Sequence, residues 1–128
     1  MTETAIEDEQ YVPYSTGVNI VRIDHDVDYN HIDRDYIRYL ISKLPERPAK
    51  CYIRKSCGGN THIMLNFNNA LSEIQIFFIR AVMRDDSRRL RADMERYILC
   101  TREVEFCFSE KLINGEIQRA GEWIEFPF

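Results

Sequence analysis

Val18-Asn19-Ile20-Val21-Arg22-Ile23-Asp24-His25-Asp26, read with Arg54-Lys55-Ser56-Cys57-Gly58-Gly59-Asn60-Thr61-His62 further along, decides how this chain is understood. Val18, Ile20, Val21 and Ile23 form a mostly apolar run broken by Asn19 and Arg22, the composition of a largely buried strand. Side chains alternate along a strand, so Asp24 and Asp26 fall on one face at its end. Two such carboxylates suit a hard divalent cation, Mg²⁺ or Mn²⁺, which takes one or two carboxylates and keeps positions open for phosphates. In the second stretch the Gly58-Gly59 turn lets the backbone approach a ligand closely.

Working outward, the first strand spans residues 18 to 27. Tyr36, Ile37, Tyr39, Leu40, Ile41 and Leu44 recur at helical spacing, which predicts a helix from Asp33 to Leu44, stopped by Pro45. Cys51 to Lys55 is the second strand, Gly58-Gly59 turns it, and residues 62 to 67 form the third. Leu71, Ile74, Phe77, Phe78, Ala81 and Val82 make an apolar stripe on a helix that Asn68 or Ser72 can cap. Asp85-Asp86-Ser87 breaks it, and Leu90, Met94, Tyr97 and Ile98 mark another helix over about 88 to 99. Glu103 to Phe108 is the fourth strand. Asn114-Gly115 predicts a hairpin between residues 111–113 and 116–118, and a last apolar strand spans 122 to 126.

The order βαββαβ with a C-terminal hairpin is that of an α+β, ferredoxin-like or RRM-like domain: an antiparallel sheet with helices on one face. In that topology the first strand is central and the fourth lies beside it, so Asp24, Asp26 and a carboxylate of the fourth strand converge. Glu105, between Val104 and Phe106, is the candidate; the same alternation also fits a solvent-facing strand residue.

An apolar strand ending in Asp-x-Asp, a helix, and then Ser-x5-His leading into another strand resembles the first two motifs of the archaeo-eukaryotic primase superfamily, over residues 18 to 67 of the 128. The resemblance implies that Asp24 and Asp26 bind catalytic Mg or Mn and that Ser56 and His62 contact the phosphates of an incoming nucleotide, with Arg54 and Lys55 beside them. The family's third motif is another strand aspartate, where this chain offers Glu103 and Glu105. Two-metal nucleotidyl transfer calls for three carboxylates, and the chain leaves little room for an accessory lobe. Segments 84–91 and 104–111 look like parts of small proteins of archaea and their viruses.

Each residue also has a plainer reading. Asp24, Asp26 and Asp28 suit a turn leading into the helix near Asp33, His62 suits a hairpin position with its ring bonded to backbone, and any tight turn uses Gly-Gly. Arg88, Arg89 and Arg91 fall in or near the first turn of a helix, where negative side chains are favoured. Either Asp85 and Asp86 compensate them locally, or Arg88 and Arg91 join the helix start in a phosphate site.

Composition bounds the remainder. With 128 residues, 45% of them hydrophobic, the chain is long enough to bury roughly two-thirds of its unfolded surface in one domain. Residues 1–15 read as a flexible acidic leader and 16–128 as a single α+β domain. No apolar stretch approaches the ~20 residues of a membrane span, and the acidic start does not match a signal peptide, so a cytoplasmic protein is expected, in a host cytoplasm if viral. Cys51, Cys57, Cys100 and Cys107 have C-x5-C and C-x6-C spacings, which fit reduced thiols better than a zinc site. The net charge of −4 opposes a general nucleic-acid surface. Glu3, Glu7, Asp8 and Glu9, however, are four of the 21 acidic residues, leaving 17 to balance 17 basic ones, and Arg80, Arg84, Arg88, Arg89, Arg91 and Arg96 crowd one segment.

The expectation is a small primase-like protein binding a nucleotide or nucleic acid, with weak or no polymerase activity, from a virus or mobile element. The alternative is a non-catalytic, protein-interacting accessory protein of the same fold, a homodimer held by apolar surface such as the segment from Trp123 to Phe128.

Overall fold

The computed structural model describes residues 4–7, 19–99, 108–113 and 116–128. In chain order they form β1 (Thr4–Glu7), β2 (Ile20–Asp28), α1 (Arg34–Ser42), β3 (Lys50–Lys55), β4 (Asn60–Asn66), α2 (Glu73–Val82), α3 (Ser87–Ile98), β5 (Phe108–Ile113), β6 (Glu116–Arg119) and β7 (Ile124–Glu125). The protein is α+β. A four-stranded antiparallel sheet has the order β2-β4-β3-β7, and a three-stranded sheet has the order β1-β5-β6.

Register explains how the main sheet acquires two unlike faces. Val21 pairs with Leu65 and Leu65 with Cys51; Ile23 pairs with Ile63 and Ile63 with Ile53. Directly opposed residues share a face, so these six fully buried side chains form one apolar surface. Ile37, Leu40 and Ile41 of α1 and Ile76, Phe77 and Ile79 of α2 complete the same core, each burial of an Ile, Leu or Phe contributing about 1.5–3 kcal/mol. The opposite face carries Arg22, Asp24, His62, Met64, Tyr52 and Arg54.

Helix boundaries follow side-chain chemistry. The Asp33 carboxylate accepts from Tyr36 N at 3.0 Å to start α1. Ser72 and Gln75 form a reciprocal capping box at α2, Ser72 Oγ accepting from Gln75 N and Gln75 Oε1 from Ser72 N. Asp86 starts α3, its carboxylate accepting from the backbone N–H groups of Arg88 (2.8 Å) and Arg89 (3.2 Å). Between α2 and α3, Arg84 adopts φ +61°, a left-handed conformation uncommon outside glycine.

Several strand expectations need restating. Among the described residues β2 is an edge strand, and its outer edge is occupied by the α2–α3 connection: Asp86 N donates to Asp24 O, the Asp85 carboxylate accepts from Asp24 N, and Arg89 reaches Arg22 O. Residues 103–107 of the expected fourth strand lie outside the described residues, as do Glu105 and the Asn114-Gly115 turn. Phe108–Ile113 pairs with Glu116–Arg119, matching the expected hairpin, and also with Thr4–Glu7, which lies within the span read as a leader. No helix among the described residues is long and apolar enough to cross a membrane.

Candidate functional site

Three sequence-predicted residues meet in one row across the polar face. Asp24 on β2 stands opposite His62 on β4, which stands opposite Arg54 on β3. Arg54 Nε donates to His62 Nδ1 at 2.9 Å, so Nδ1 acts as acceptor and the imidazole proton is on Nε2. Both side chains are nearly buried, 3% and 5% exposed. Trp123, from the segment after β6, lies over them: its ring centroid is 4.3 Å from the Arg54 guanidinium and 6.3 Å from the imidazole. A cation held between an aromatic face and a hydrogen bond to its neighbour has a fixed orientation. Trp123 is the chain's single tryptophan, and the sequence placed it only in an apolar packing segment.

The remaining candidates are more dispersed. Asp26 is exposed, and its Oδ1 accepts from Asn60 Nδ2 at 2.8 Å, just beyond a register irregularity between His25 and Asp28. Ser56 is buried at the base of the β3–β4 turn, where its N–H donates to Asn60 O and its carbonyl accepts from Gly59 N. Gly59 adopts φ +95°, which explains a glycine there. Lys55 is exposed, its carbonyl accepting from Gly121 N. Arg88 and Arg91 are exposed on α3, with Arg91 Nε 3.5 Å from Glu95.

The arginine-rich segment is largely turned inward. Arg80 has no exposed surface; its Nε lies 2.5 Å from Asp85 Oδ2 and its other end 2.8 Å from Asp93. Arg89 also binds Asp85, and Arg96 binds Asp93. Asp85 is therefore the hub that joins α2, α3 and β2, a role the sequence signalled only through its Asp-Asp pair. The N–H groups at the α3 start are occupied by Asp86, so the local-compensation reading of the arginines matches what is observed there.

Burial also sets two ionisations. His25, on the helix-facing side, is pulled below its ordinary pKa, chiefly because burial penalises the charged ring; its Nδ1–H donates to Met83 O at 3.1 Å. The Cys51 thiol is pushed up to about 12 by burial. Among the described residues no three or more His, Cys, Asp or Glu side chains are grouped to hold a metal. Asp24 and Asp26 alone fall short of a two-metal centre. No protein-family profile, curated protein or solved structure matches the chain.

Proposed function

We infer that the protein binds the phosphates of a nucleotide or of single-stranded nucleic acid on the polar face of its main sheet, as a primase-like protein with weak or no polymerase activity. The observation that carries this reading is the Asp24, His62, Arg54 row, with Trp123 over Arg54. A guanidinium and an imidazole Nε2–H are phosphate donors, and an aromatic ring offers a base a stacking surface. The antiparallel order β2-β4-β3 supports the finer, ferredoxin-like or RRM-like reading, since it is the arrangement of the first three strands of that topology. Asp24 and Asp26 are the residues that Mg²⁺ or Mn²⁺ accompanying a triphosphate would meet. The reading is one of binding, because the described residues do not supply the third carboxylate of nucleotidyl transfer.

Trp123 supplies the test. Its emission should change on titration with ATP or with oligodeoxythymidine at low salt. His62→Ala should weaken binding by about 1–3 kcal/mol, the range for removing one partner of a buried hydrogen bond. Absence of any measurable affinity for nucleotides, DNA or RNA at low salt would sink the reading.

A further inference from the structure

The pairing of α2 with α3 leaves an apolar groove of about 380 Å³ on the outside of the domain, floored by Phe77 and Ala81. Phe77 and Tyr97 meet edge to face at 5.6 Å between centroids, so the groove has a built wall and is not a gap between mobile chains. Around it Ile74, Phe78, Met94, Tyr97, Ile98 and Leu99 are 40 to 74% exposed, which at about 200 Å² per large side chain leaves on the order of 700 Å² of apolar surface. That exceeds the roughly 300–600 Å² of the largest patch on a typical monomer, and approaches the ~800 Å² that each partner contributes to a standard interface.

We propose that this face is a two-fold interface with a second copy of the chain. Charge on α3 favours a copy over an unrelated partner. Arg91 and Glu95 sit one turn apart on the exposed side of the helix. An arrangement with opposite signs one turn apart is complementary to itself only when the second helix runs antiparallel, which a two-fold axis requires. Arg91 of each copy then meets Glu95 of the other at the rim, while Phe78 and Ile98 of each copy fill the groove of the other. The patch thus supplies both projections and a cavity, as an isologous interface must. This inference is independent of the phosphate-binding reading, because the groove lies on the α2–α3 pair and the Arg54–His62 row lies on the sheet face turned away from the helical core.

Sedimentation velocity over a concentration series tests it, with circular dichroism confirming that each variant folds. Wild type should show a concentration-dependent dimer, and Ile98→Glu should be monomeric. Arg91→Glu should weaken the dimer by about tenfold, two symmetric attractive pairs becoming repulsive, and Arg91→Glu with Glu95→Arg should restore it. A wild-type protein that stays monomeric throughout overturns the proposal. So does a dimer that survives Ile98→Glu, or one that the charge exchange fails to restore.

Discussion

The Arg54 guanidinium is held from two directions, its Nε donating to His62 Nδ1 at 2.9 Å while Trp123 covers its face at 4.3 Å. The row therefore combines a fixed cation with an imidazole of defined tautomer, on strands whose register is set by the apolar face behind them.

Arg54→Ala removes both contacts at once. It leaves His62 Nδ1 as a buried acceptor without its donor, which costs about 1–3 kcal/mol. Urea denaturation followed by Trp123 emission should show that loss, with a change in the native-state spectrum as the ring loses its cationic neighbour. Arg54→Lys should recover less than half of it, because an ammonium has no planar face to stack beneath the indole. Full recovery by lysine would mean that charge alone matters at this position.

The Asp85 hub makes a graded prediction. Asp85→Ala strips a buried partner from Arg80, Arg89 and the Asp24 backbone N–H, and should destabilise by about 3–5 kcal/mol, the usual penalty for stranding a buried charge. Arg80→Met should cost distinctly less, because Arg89 still binds Asp85 and Arg96 still binds Asp93. Equilibrium unfolding of the two variants decides the order, and equal losses would contradict the network's connectivity.

His25 predicts acid sensitivity. Its folded-state pKa lies below the ordinary 6.5, so below that pH the unfolded chain takes up a proton that the folded protein does not. Its contribution to stability is complete above pH 6.5 and is lost as pH falls from there toward the folded pKa, at up to about 1.4 kcal/mol per pH unit. His25→Gln can keep a donor for Met83 O without titrating. Its unfolding free energy should fall less than that of wild type between pH 7.5 and 5.5.

How much of this was legible in the sequence depends on the kind of information. Alternation and helical spacing located β2, β3, β4 and the three helices, because burial on one side imprints a period on the residues themselves. The Ser72 cap and the Asp24–His62 pairing followed from local chemistry and from a short hairpin. Neighbours across the fold were not legible. Arg80 occupies a core position one turn after Ile76, yet hydropathy marks it as surface, since its burial depends on Asp85 and Asp93 arriving from other segments. In the same way nothing in Arg22 to Asp24 announces that Asp85, Asp86 and Arg89 would occupy the outer edge of β2, and Thr4–Glu7 pairs with a strand about a hundred residues away.

Cysteine reactivity gives the last prediction. Cys51 lies on the apolar face between α1 and the sheet, with no exposed surface and a thiol pushed up to about 12. Reaction with a disulfide reagent needs thiolate and access, and Cys51 has neither near neutral pH. In a protein whose other cysteines, Cys57, Cys100 and Cys107, are replaced by serine, labelling should therefore wait for unfolding. Its rate should rise with urea in step with the unfolded fraction, and should increase further when Asp85→Ala is added, because that variant opens more often. Rapid labelling of the native protein, at a rate insensitive to Asp85→Ala, would show that the core around Cys51 opens locally and independently of the hub that joins α2, α3 and β2.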